Sequence, residues 1–174
     1  MGEKSVFFML RIQSFFSKYI LLSILGMGFQ LNSNIGQPPF FQTAVSQGAV
    51  SSPIFSFYLS SNVSELYLGG TNSQHYTGPI ERHTVVSPSS PTFWQLDDAK
   101  ISVNGKAAVA SGFQTIIDSG TSIMYGPSDA VAQVYSQVPG SQDWNNGYYI
   151  FPCDSTPAIN FSWGGLDWAI NAEK

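Results

Sequence analysis

The chain has 174 residues, enough for one domain with a sizeable core. Only 10% of the residues are charged and 14% are aromatic, with 16 Gly and 10 Pro, which excludes a disordered tail, a coiled coil or a long helical bundle and points to an all-β body. Seven Lys+Arg against 11 Asp+Glu give a net charge of -4 with no two basic residues adjacent, which argues against a nucleic-acid partner.

Residues 1–25 have the texture of a targeting segment, interrupted by Arg11, Gln13 and Lys18. The apolar stretch within 19–30 is shorter and more mixed than the roughly 20 apolar residues a bilayer demands, so no membrane span or membrane partner is expected. Residues 19–25 suit the apolar core of a signal peptide, but no small-residue cleavage site follows.

From Gly26 onward, short runs of Val, Ile, Phe, Tyr and Trp alternate with Gly, Pro, Asn and Ser clusters. They predict strands at 54–59, 65–68, 80–86, 93–96, 100–103, 107–110, 114–117, 148–151 and 158–161. Asn104-Gly105 predicts a tight hairpin turn, since both residues tolerate positive φ. Helices are predicted at 40–46, after a Pro pair, and at 128–138, where Val131, Val134, Tyr135 and Val138 recur at three-and-four spacing before Pro139-Gly140.

Several chemistries are missing from the pattern. There is no Gly-x-Ser-x-Gly elbow, no phosphate loop and no dinucleotide turn. His75 and His83 form no zinc motif and read as surface histidines, so no metal or cofactor is expected. Asp143-Trp144-Asn145-Asn146-Gly147 brushes against a calcium loop, but its Gly comes one position early and no Glu closes it, so it reads as a turn. Asp97-Asp98 reads as a solvated turn edge. Cys153 is the single cysteine and has no internal partner; a free thiol and a partner outside this sequence both stay open. Asn62-Val63-Ser64 and Asn160-Phe161-Ser162 are glycosylation sequons, compatible with secretion and also expected by chance in a chain this rich in Ser.

One segment carries chemistry. Phe113-Gln114-Thr115-Ile116-Ile117-Asp118-Ser119-Gly120-Thr121-Ser122 runs from an apolar strand into an Asp followed by small hydroxyl residues and a Gly. A carboxylate at the end of a buried strand is costly unless hydrogen-bonded, and Ser119, the Gly120 N–H and Thr121 are the short-range donors. The bare Asp-Ser/Thr-Gly tripeptide arises by chance in roughly one chain in ten of this length, and the flanking Ile-Ile and Thr-Ser make the match about a hundredfold rarer.

Ile116-Ile117-Asp118-Ser119-Gly120-Thr121-Ser122 resembles the second of the two Asp-Thr/Ser-Gly motifs of the pepsin-like aspartic endopeptidases (peptidase family A1), and within them the fungal secreted enzymes. Ile24-Leu25-Gly26-Met27-Gly28-Phe29 resembles the family's apolar-apolar-Gly segment, and Phe55-Ser56-Phe57-Tyr58-Leu59, Leu68-Gly69-Gly70, Tyr76-Thr77-Gly78, Phe93-Trp94-Gln95-Leu96 and Gly126-Pro127 follow in family order. The resemblance spans about residues 24–174. It implies a partial bilobal all-β fold with a few short helices, in which 24–69 is the remnant of the N-terminal lobe with inter-lobe strands and 70–174 a truncated C-terminal lobe. It implies secretion or vacuolar delivery, and protein or peptide substrates.

In that family a carboxylate from each lobe shares a proton with the other and activates a water that attacks the peptide carbonyl, in an acidic working range. By resemblance Asp118 is one of the two, Ser119 braces the loops across the lobes, Gly120 lets the backbone approach, and Thr121 hydrogen-bonds the outer oxygen of Asp118. Phe93, Thr121 and Ser122 line the substrate, and Cys153 begins the lobe's disulfide with its partner beyond the chain's end.

The chain departs from the family pattern at both ends. Residues 1–23 hold no Asp and no companion motif, so they are expected to lie outside the domain as aberrant or leader sequence. A second apolar-apolar-Gly segment is missing before Lys174. The expectation is therefore a fragment of an aspartic endopeptidase, inactive alone with one catalytic Asp. The alternatives are a homodimer pairing two copies of Asp118, as one-lobed proteases do, and a non-catalytic secreted β-domain binding peptide or carbohydrate.

Overall fold

The computed structural model describes residues 5–9, 25–107, 109–121 and 123–170. Among them are nine strands, two α-helices and two single 3₁₀ turns, and the all-β expectation holds. The strands are β1 (Ser5–Met9), β2 (Phe55–Tyr58), β3 (Glu65–Leu68), β4 (Gln95–Val103), β5 (Ala110–Asp118), β6 (Gln142–Asn145), β7 (Tyr148–Ile150), β8 (Ile159–Ser162) and β9 (Trp168–Ile170). The helices are α1 (Phe40–Ser46) and α2 (Ser128–Tyr135).

The main sheet has the order β1-β5-β4-β8-β9, with β1 parallel to β5 and every other pair antiparallel. Its β1 lies within the 1–23 segment that the sequence reading leaves outside the domain. Ala99, Ile101 and Val103 of β4 alternate onto one face and are buried, while Lys100 and Ser102 turn to the other. On the buried face Ala110 and Phe113 of β5 and Phe161 of β8 meet Val134 and Val138 beneath α2, and this cluster is the core. Burying each such Val or Phe contributes about 1.5–3 kcal/mol before entropy is counted.

Two predicted strands fuse into one, and a third does not form as predicted. The runs 93–96 and 100–103 join in β4 through a bulge at Asp98 (φ 53°), so Asp97-Asp98 lies inside a strand and not at a turn edge. Of the run predicted at 107–110 only Ala110 is in a strand: β5 begins there and continues across Gly112 (φ 71°) through the predicted 114–117. Asn104 (φ 53°) and Gly105 (φ 69°) form the expected turn, closed by Lys106 N–H to Val103 O at 3.1 Å. The predicted strand 80–86 does not form: among the described residues its backbone bond to the sheet is Val86 N–H to Gln95 O at 2.8 Å, at the segment's end. An alternating pattern makes a strand only where a neighbour completes the ladder. The helix predicted at 128–138 ends at Tyr135, because Gln137 N–H and Val138 N–H bond three residues back and tighten the last turn. Strands β1, β6 and β9 were not anticipated. Asp143–Gly147 forms the β6–β7 hairpin with its turn.

A second layer leads into the sheet. Phe41 of α1 is buried against Phe55 of β2, edge to face at 4.9 Å, and Phe55 meets Trp94 at 5.5 Å. Phe29 lies 4.4 Å from Trp94, whose indole N–H donates to Met27 O at 2.9 Å. The segment resembling an apolar-apolar-Gly support thus docks on Trp94, just ahead of β4. No helix among the described residues is long and apolar enough to cross a membrane.

Candidate active site

Asp118 is the last residue of β5, and its position follows from the strand. Thr115 and Ile116 are buried, Ile117 turns outward, and the strand then breaks into the turn at Ser119-Gly120. Ile117 N–H donates to Trp94 O at 2.9 Å, tying the residue before Asp118 to the one after Phe93. The carboxylate is half-buried. Its Oδ1 accepts the Gly120 N–H at 2.8 Å and its Oδ2 accepts the Thr121 hydroxyl at 2.6 Å. Each oxygen has one lone-pair site filled from its own loop and one left for an outside donor.

A Cβ at Gly120 would sit 3.1 Å from Asp118 Oδ1, close enough that the carboxylate would have to shift by a few tenths of an ångström to admit it. Ser119 is half-buried in the turn. Phe93, 38% exposed, stands beside Trp94 and so next to the end of β5. The fold therefore brings Asp118, Gly120, Thr121 and the Phe93 segment together. Ser122 lies outside the described residues. Cys153 is exposed and free, away from this loop in sequence and on the turn after β7. Ile117, Ile123, Met124 and Tyr125, close to Asp118 in sequence, are exposed, the last by 53%.

Two supports were not legible in the sequence. Thr115, fully buried, accepts the Trp163 indole N–H at 2.8 Å, which fixes β5 three residues before Asp118. Glu81 accepts the Trp168 indole N–H at 2.8 Å and the Leu166 N–H at 3.2 Å, and faces His83 at 2.9 Å. Desolvation raises its pKa, but the Trp168 and Leu166 donors and His83 outweigh it and hold the carboxyl below its ordinary value. Neither partner set has a local signal. The two histidines are both partly exposed: His75 lies 3.5 Å from Glu65 and stacks on Tyr58 at 3.9 Å. Among the described residues no group of three or more His, Cys, Asp or Glu side chains is placed to hold a metal ion.

A model of the eukaryotic aspartyl proteases matches residues 11–174. The chain belongs to that family. It is 38% identical over 154 residues to an aspartic protease of Phaffia rhodozyma, covering 84% of this chain and 37% of that one. It is 37% identical over 156 residues to pepsin F of Oryctolagus cuniculus, and 35% over 155 residues to pepsin A of Sus scrofa, covering 39% of each. The chain spans about two fifths of the length of the curated relatives it matches. The match to the aspartyl proteases begins at residue 11, inside the leader-like segment.

Proposed function

We propose that this chain is part of an aspartic endopeptidase in which Asp118 supplies one of two catalytic carboxylates. The observation that carries the reading is the pair of bonds at Asp118, one donor per oxygen from its own loop, in a chain of the aspartyl protease family. The second carboxylate comes from a companion lobe outside the 174 residues. Residues 70–174 are then the larger part of the C-terminal lobe and 24–69 the end of the other lobe with its connecting strands.

The chemistry follows from the open lone pairs. Two carboxylates brought about 3 Å apart cannot both ionise, so they hold one proton between them. The ionised one takes a proton from a bound water as the water oxygen bonds to the peptide carbonyl carbon, and the protonated one gives its proton to the carbonyl oxygen. In the collapse of the resulting diol the first carboxyl gives its proton to the nitrogen as the C–N bond breaks, and the second takes a proton back from a diol hydroxyl, which restores the single shared proton. Gly120 and Thr121 keep the Asp118 carboxylate in one rotamer through both steps. Ser119 braces the companion loop, and Phe93, Thr121 and Ser122 line the substrate.

The exposure of the large apolar residues Ile117, Ile123, Met124 and Tyr125 on either side of Asp118 in sequence supports a covering lobe. The substrates are proteins or peptides, delivery is secretory or vacuolar, and Cys153 pairs with a cysteine outside these residues. The alone-standing 174-residue chain is inactive. The test is the intact mass of the native protein, after removal of sugars, together with its hydrolysis of a denatured protein at acid pH. The reading expects a mass well above 18.9 kDa and acid proteolysis. A protein of 18.9 kDa that cleaves as a monomer contradicts it.

A further inference from the structure

The peptidase reading leaves the two Asn-x-Ser sequons unused, and the fold gives them different surroundings. Asn62-Val63-Ser64 lies in the connection between β2 and β3, with all three residues exposed and Val63 open by 73%. The connection is closed by its serines: Asn62 N–H donates to Ser60 Oγ at 3.3 Å, Ser60 N–H to Ser64 Oγ at 3.2 Å, and Ser64 Oγ to Ser60 O at 3.1 Å. These bonds use the Asn62 backbone and the Ser64 hydroxyl, and leave the Asn62 side-chain amide facing no demand from the fold.

Asn160-Phe161-Ser162 lies within β8, which is paired on both sides. Asn160 stands opposite Ser102 of β4 and Ala169 of β9. Its amide nitrogen is half-buried, 3.5 Å from Ser102 Oγ, and Phe161 between the sequon's two polar residues is a core side chain. A transferase has to reach the amide nitrogen and the hydroxyl two residues on, and a bulky, strongly solvated glycan has to remain in water afterwards. The exposed connection meets both conditions once the Ser64 hydroxyl exchanges its bonds to Ser60, whereas at Asn160 both polar groups are half-buried beside a core Phe161 and the amide is already paired with Ser102.

We infer that Asn62 carries an N-linked oligosaccharide and that Asn160 does not. In the transfer, the sugar's anomeric carbon leaves the pyrophosphate oxygen of a lipid-linked donor and bonds to Asn62 Nδ2. The amide loses one proton, the lipid pyrophosphate departs, and nothing is oxidised or reduced. The glycan covers Val63 and the hairpin connection. This rests on the secretory part of the proposed function and not on the role of Asp118.

The test uses the native protein from its source. It is treated with peptide N-glycosidase in heavy-oxygen water, which converts a glycosylated Asn to labelled Asp, and then mapped by peptide mass spectrometry. The expected result is label at position 62 and none at 160, with the N62Q variant lighter by one glycan and N160Q unchanged. Label at 160, or an unlabelled 62, overturns the inference. Acid proteolysis is measured on the same sample, so an unglycosylated but active protein contradicts this inference alone, and a glycosylated but inactive one contradicts the peptidase reading alone.

Discussion

Trp163 donates its indole N–H to the hydroxyl of Thr115 at 2.8 Å, and Thr115 is fully buried three residues before Asp118. The bond joins β5 to the residue that follows β8 across the sheet, skipping the intervening β4. It satisfies the only buried polar residue among the described ones. A strand that must present a carboxylate at its end is thereby fixed from the side.

Trp163→Phe is expected to destabilise the protein by about 1–3 kcal/mol through the unpaired Thr115 hydroxyl, in addition to any loss of packing. Thr115→Val in the Trp163→Phe background removes the orphaned group. Urea unfolding of the four proteins in the cycle is expected to give a coupling energy of about 0.5–3 kcal/mol. Additive effects contradict the bond's contribution.

Glu81 provides a pH-dependent link between the 80–86 segment and β9. Its folded pKa is lowered from 4.5, so its contribution to stability is complete above that value and is lost as pH falls through the folded one. The stability advantage of the wild type over Glu81→Gln is expected to be greatest near neutrality and to shrink below about pH 4.5. Thermal unfolding from pH 3 to 7 reads this directly, and a difference that grows on acidification contradicts it. Gly165→Ala is expected to mimic the loss of Glu81, because a Cβ there takes the space of the Glu81 Oε1 atom.

How much of this was legible depends on distance along the chain. Helix α1 and strand β3 stand where the sequence places them, since a Pro pair before Phe40 and β-rich residues between turn signals are local instructions. The loop at Asp118 was legible for the same reason: both donors lie within three residues. Strand 80–86 failed because alternation says nothing about whether a neighbour exists. The split of β4 failed because a bulge at Asp98 carries pairing through residues that resemble a turn, and β5 likewise continues across Gly112. Trp163 and Thr115 lie 48 residues apart, and Glu81 and Trp168 lie 87 apart, so no window of sequence holds either pair.

Thr121 holds one oxygen of Asp118 by a hydrogen bond to a charged group, worth about 1.5–3 kcal/mol. On the proposed function, Thr121→Ala in the native protein is expected to lower kcat/KM by about tenfold to a hundredfold, while Thr121→Ser, which keeps the hydroxyl, retains most of it. Gly120→Ala is expected to reduce activity as well, because its Cβ crowds Asp118 Oδ1. Equal activity of Thr121→Ala and Thr121→Ser contradicts the holding role.

The central claim is that Asp118 is a reacting carboxylate. Its most direct test is the rate of peptide hydrolysis at acid pH by the native protein and by its Asp118→Asn variant, with folding of both checked by thermal unfolding. Asn keeps the shape and an acceptor oxygen but cannot take up a proton. The account predicts a fall of at least about 10²–10⁴-fold in the variant with folding preserved. A folded Asp118→Asn protein that cleaves at the native rate contradicts it.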